Sequence, residues 1–130
     1  FDSDPFVFIA GPYAVKGKQE ASTYAGIETN IQRARTAAIF LARNGIPYFC
    51  PHLNSAHMEV YAPDVPRDFW LSLDLTILRY AAGIWMLEGW EKSKGAINER
   101  QKALEWGIHV WGPSEGNLLV HYWKVDHAIH

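Results

Sequence analysis

Four short apolar runs, each closed by a backbone breaker or a loop, set the strongest limit on how this chain can fold. Phe6-Val7-Phe8-Ile9-Ala10 ends at Gly11-Pro12 and Ile46 to Cys50 ends at Pro51. Gly83-Ile84-Trp85-Met86-Leu87 runs into the loop Glu88 to Ser93, and Ile108-His109-Val110-Trp111 stops at Gly112-Pro113. Continuous apolar runs of this length read as strands buried on both faces. The segments between them keep helical period: Ile31, Ala34, Ala38 and Leu41 mark one helix, with Thr29 or Asn30 as its cap and Asn44-Gly45 as its stop. Asp68 to Tyr80 predicts a second, with Trp70, Leu73, Ile77 and Tyr80 on one face. Gly95 to Trp106 predicts a third, ended by Gly107. His52 to Arg67 holds Pro63 and Pro66 and reads as a loop with short helical turns, while Leu118 to Trp123 fits a fifth strand or a final helix equally. Strands joined by helices lie parallel through right-handed crossovers. The expected fold is therefore α/β, a Rossmann-like or flavodoxin-like three-layer sandwich with a four- to five-stranded parallel sheet, in one domain spanning residues 1–130.

Charge and cysteine content narrow the partners. Net charge is −2 with no block of Lys or Arg, which argues against nucleic acid or an anionic membrane as the main partner. The single cysteine, Cys50, excludes an internal disulfide. No run of apolar residues is long enough for a membrane span, and the acidic start Phe1 to Pro5 lacks a signal-peptide pattern, so a cytoplasmic protein is expected. Aromatic residues make up 14%, including six Trp, which suggests a pocket or a subunit interface.

In parallel sheets ligands bind outside the carboxyl ends of the strands, so the candidates come from four loops and the helix turns beside them. Gly89-Trp90-Glu91-Lys92-Ser93-Lys94-Gly95 is the most informative. Gly95 allows close backbone approach as a helix begins, and the open N–H groups of that turn, with Ser93 as a further donor, suit a phosphate. Glu99 lies near the positive end of the same helix, which favours an ionised carboxylate able to act as a nucleophile. Ser93 as a plain N-cap and Glu99 as a solvated helix charge fit the same spacing. Asp74 sits among core residues of the second helix. If it shares a pocket with Glu99, repulsion pushes one pKa upward, the split that divides duties between two carboxylates in glycoside cleavage. His52, at a strand end, could donate a proton to a leaving base or serve only as structure. His57, His109, His121, His127 and His130 form no metal-binding spacing, so neither a metal nor a cofactor is expected. Gly11-Pro12-Tyr13 is a turn signal rather than a dinucleotide fingerprint.

Together, Phe8-Ile9-Ala10-Gly11-Pro12-Tyr13, Pro51-His52, Asp74 and the stretch Gly89 to Glu99 resemble the nucleoside 2-deoxyribosyltransferase-like superfamily, over roughly Val7 to Trp111. The resemblance implies cleavage of an N-glycosidic bond, with Glu99 attacking the anomeric carbon, Asp74 binding sugar hydroxyls and assisting proton movement, and His52 near the base. Ser93 stands where the nucleoside transferases carry an aspartate and the nucleoside 5′-monophosphate hydrolases a phosphate-binding serine. Ser114 stands where such hydrolases supply a second serine from a neighbouring subunit, which implies a homodimer with a shared site. Phe8 corresponds to an aromatic position near the sugar, and Trp90 is a candidate for contact with the base. Arg100-Gln101 after Glu99 depart from the small residues usual there. The expected function is a nucleoside 5′-monophosphate N-glycosidase, with the phosphate held by Ser93, the backbone around Gly11, Pro12 and Tyr13, and Ser114 of a neighbouring subunit. The alternatives are a deoxyribosyltransferase exchanging bases and a nucleotide-binding module without turnover.

Overall fold

The computed structural model describes residues 6–12, 24–54 and 58–128. Within them the chain runs β1 (Val7–Ala10), α1 (Tyr24–Arg43), β2 (Tyr48–Phe49), α2 (Pro51–Asn54), α3 (Met58–Tyr61), α4 (Arg67–Leu78), β3 (Gly83–Met86), a 3-10 turn (Trp90–Lys92), α5 (Lys94–Glu105), β4 (His109–Trp111) and α6 (Gly116–Ala128). The four strands form one parallel sheet in the order β2-β1-β3-β4. This is the expected α/β sandwich, with four strands; the ambiguous last segment is helix α6, not a fifth strand.

The alternation of β1 explains the layering. Val7 and Ile9 point to one face, where they pack with Ala34, Ala38 and Leu41 of α1 and Leu119 of α6. Phe8 and Ala10 point to the other, where they meet Leu78 of α4 and Ala96 and Ala103 of α5. With period two, a four-residue apolar strand serves both cores, which is why it carries no polar face.

Helix α1 begins earlier than its apparent caps. Ile27 already belongs to its buried stripe, continued by Ile31, Ala34, Ala38 and Leu41, so Thr29 and Asn30 lie inside the helix. The predicted stops hold for a definite reason. Gly45 and Gly107 adopt φ of 71° and 73°. Each lets the next residue's N–H reach back five positions, Ile46 to Leu41 at 3.0 Å and Ile108 to Ala103 at 2.8 Å, in Schellman motifs that satisfy the last carbonyls.

Helix α4 corrects the expected face. Its buried positions are Asp74 and Leu78, with Leu71 and Leu75 partly covered; Trp70, Leu73 and Ile77 are half-buried and Tyr80 is 75% exposed. The two neighbouring stripes have the same period and similar apolar content, and the sheet selects the one that contains the acid.

The strand order places the topological switch between β1 and β3, and there the two strand ends close on each other. Leu87 N–H donates to the Ala10 carbonyl at 2.7 Å, and a Cβ on Gly11 would lie 2.9 Å from Leu87 Cβ. No rotamer change relieves a clash with a Cβ. Gly11→Ala is therefore expected to lower stability by about 1–3 kcal/mol, read as a fall in Tm of several degrees in thermal unfolding followed by circular dichroism. An unchanged Tm would contradict this close approach.

Candidate active site

Helices α4 and α5 both leave the carboxyl edge of the sheet and run antiparallel to the strands, and they pack side by side. Their spacing is set where Leu71 packs against the backbone of Gly95: a Cβ there would sit 3.7 Å from Leu71 Cδ2. Three residues further along α4 comes Asp74, and four further along α5 comes Glu99. At about 1.5 Å of rise per residue the two acids reach similar depth beneath the edge. Both are buried, at 8% exposure each.

Among the described residues, neither carboxyl has a hydrogen-bond donor or a counter-ion. Burial raises the Asp74 pKa to about 7. Burial, and then the charge of Asp74, raises that of Glu99 to about 8. The expectation that the helix end would keep Glu99 ionised is overturned, because loss of hydration outweighs a helix-end effect of about 1 kcal/mol. The expected upward push between two carboxyls is present, and desolvation is its larger cause. Near neutral pH the pair retains at least part of its protons, and these belong to the pair as a unit.

Cys50 is a neighbour the sequence did not bring into the site. Its thiol, 3% exposed at the end of β2, is influenced by the charges of Glu99 and Asp74, while burial is the main cause that lifts its pKa to about 11. It stays a thiol and is a poor nucleophile. Nothing in the sequence joins Cys50 to acids on two later helices; only the sheet order does.

His52 is 7% exposed, and its Nε2 lies 2.9 Å from the Pro12 carbonyl oxygen. A carbonyl only accepts, so Nε2 carries the hydrogen and donates it. Burial pushes the imidazole pKa below its usual range, more strongly than the Pro12 and Gly11 backbone raises it. A ring that resists protonation and whose Nε2–H is already engaged is a poor acid. The arrangement gives the ring a structural bond to Pro12 and weighs against a role as proton donor to a leaving base.

Phe8 also moves. With 0% exposure, its ring packs 5.9 Å from that of Phe49 in the core and offers no surface to a sugar. Ser93 caps α5, its Oγ accepting from Ala96 N–H at 3.2 Å, which leaves its hydroxyl hydrogen able to donate elsewhere. Both readings of Ser93 are therefore compatible in one residue. Gly95 has no positive φ and ordinary space for a Cβ, so the fold itself does not demand a glycine there. Gly89 does need its freedom, at φ 88°, and its vacant Cβ position lies 3.4 Å from the Pro12 ring. Trp90 is half-buried, with the Arg100 guanidinium 5.0 Å above its ring. The departure at position 100 thus supplies a cation–π cover for the site loop. Ser114 is exposed in the turn after β4. Tyr13, His57 and His130 lie outside the described residues.

Two open cavities occur elsewhere. One of about 400 Å³ is lined by Val7, Gly83, Trp111 and Trp123 at the amino ends of the strands. The other, about 810 Å³, lies along the β4 edge between Trp90, Arg100 and Leu104. Neither is lined by Asp74 or Glu99. The candidate site is placed by the two buried acids rather than by a cavity. Among the described residues no group of three or more His, Cys, Asp or Glu is arranged to hold a metal ion. No helix among them is long and apolar enough to cross a membrane.

A family model described as "Domain of unknown function (DUF4406)" matches residues 6–112, which include the whole sheet and the acid pair. No curated protein matches the chain.

Proposed function

The chain belongs to the DUF4406 family, and we propose that this member is an N-glycosidase that releases the base from a nucleoside 5′-monophosphate. The observation that supports this reading is the buried pair Asp74 and Glu99, with no hydrogen-bond donor or counter-ion among the described residues, beside the switch point of a parallel sheet. Burying two carboxyls without partners costs folding free energy, and perturbed acids in such a position are characteristic of catalytic sites.

The reactive arrangement is the minor one of the singly ionised pair: burial favours the proton on Glu99, and the chemistry requires it on Asp74 with the charge on Glu99, facing the positive charge that develops at C1′. A Glu99 oxygen bonds to C1′ as the C1′–N bond breaks, its electron pair leaving on the base, which takes the Asp74 proton. Water then attacks C1′, the bond to Glu99 breaks, and the water's proton returns to Asp74. The free Ser93 hydroxyl hydrogen and the open first turn of α5 receive the 5′-phosphate, where a carboxylate in place of Ser93 would repel it. Trp90 stands beside the base. Ser114 completes the phosphate site of a second copy, so the working form is a homodimer, acting in the cytoplasm.

The test is incubation of the chain with a panel of ribo- and deoxyribonucleoside 5′-monophosphates and the matching nucleosides, followed by chromatography for free base. Base is expected from at least one monophosphate and not from its nucleoside. Exchange with an added free base instead of hydrolysis would make the protein a transferase. Tight binding by calorimetry with no product after long incubation would make it a binding module.

A further inference from the structure

The carboxyl end of β1 is held by a chain of contacts that begins at His52. Its Nε2–H donates to the Pro12 carbonyl across the gap between α2 and the loop after β1. The Pro12 ring in turn rests against Gly89, at the start of the β3 loop that carries Trp90 and Ser93. One residue earlier, Gly11 is in close contact with Leu87, and Ala10 accepts from Leu87 N–H. Three strand ends are thereby tied together at the switch point, and His52 contributes a side-chain hydrogen bond to these ties. The strand pairing fixes Ala10, but Pro12 lies beyond the last ladder bond of β1. Its carbonyl accepts the hydrogen bond from the imidazole.

We infer that His52 is a positioning residue: its Nε2–H sets the Gly11–Pro12 backbone against the Gly89 loop that carries Trp90 and Ser93. This rests on the proposed glycosidase reading for its catalytic consequence but not for its geometry. A shift of that loop by about 1 Å can cost a factor of ~100 in efficiency without any change in the reacting groups.

Two amides separate this role from that of a proton donor. The Gln side chain places its Nε2–H near where the imidazole Nε2–H lies, whereas Asn places its N–H near Nδ1. His52→Gln should therefore keep the bond to Pro12 and restore turnover to within about threefold of wild type. His52→Asn should lose tenfold or more, mostly as a raised KM, since the loop and not the proton transfer is disturbed. If both amides lose kcat equally, a proton-donating histidine is indicated and the inference is overturned.

A second measurement is independent of any turnover. Imidazole nitrogen NMR of the intact chain at pH 8 should show His52 as the neutral Nε2–H tautomer. The Gly89 amide resonance should move in His52→Asn and stay near its wild-type position in His52→Gln. An Nδ1–H tautomer, or a Gly89 resonance indifferent to both substitutions, would refute the latch. If these signals are as expected and no nucleotide is cleaved, the latch stands and the glycosidase reading fails.

Discussion

Glu99→Gln is expected to abolish base release, by a factor of about 1,000 or more, while the chain remains folded. The amide keeps the shape of the side chain but cannot form the bond to C1′, so the loss should appear in kcat and in kcat/KM together. Quantifying free base from the best nucleotide of the panel measures it. The same substitution removes a buried ionisable group and leaves an amide with no partner among the described residues, at a cost of about 1–2 kcal/mol. A variant that is well folded by circular dichroism and inactive would therefore assign the loss to chemistry. If Glu99→Gln released base as fast as wild type, Glu99 would not be the nucleophile.

Between about pH 4 and pH 8 the wild-type chain should lose stability, and Glu99→Gln should lose less. The sign follows from the raised pKa values. In the unfolded chain Glu99 and Asp74 ionise near their ordinary values of 4.5 and 3.8; in the fold they hold their protons to about 8 and about 7. Across that window the native state binds more protons, so stability falls as pH rises. Below the window both carboxyls are neutral in both states and the penalty vanishes. Above it the full penalty is present, on the order of 4 kcal/mol for Glu99 taken alone. With the unpartnered amide subtracted, the variant should melt about 5–10 °C above wild type at pH 8.5. At pH 4 it should melt at or slightly below the wild-type temperature. Calorimetric melting of both proteins across this range measures the difference. A variant less stable than wild type at every pH would mean that Glu99 is not held as a costly buried acid. Activity and stability then oppose each other at one residue, the pattern expected where a fold retains strain for its site.

Much of this architecture was legible because it depends on short-range pattern. Apolar runs of four or five residues between helical segments admit few arrangements other than a parallel sheet covered on both sides. Gly45 and Gly107 mark helix ends through a backbone conformation that other residues rarely adopt. The loop from Gly89 to Gly95 falls at a carboxyl edge wherever such a sheet is built, so its candidates could be named in advance. Helix boundaries were less legible. Ile27 extends the stripe of α1 past Thr29 and Asn30, which look like caps only when the turn before them is left out.

The roles of particular side chains were a different matter. His52 is a plausible acid by type and becomes a donor to Pro12 by placement. Phe8 corresponds to a sugar-side aromatic by alignment and belongs to the core by strand direction. Cys50 carries no local sign of acids beside it.

What the chain's pattern determined alone was the parallel sheet, its carboxyl edge, and the chemical types gathered there. What only the tertiary structure decided was which stripe of α4 faces the sheet, and with it the burial of Asp74 level with Glu99. The physical reason is that helical period defines several overlapping stripes of similar hydrophobicity, while the proton affinity of an acid depends on the water it has lost and the charges near it. Both are set by residues distant in sequence, and no local pattern encodes them.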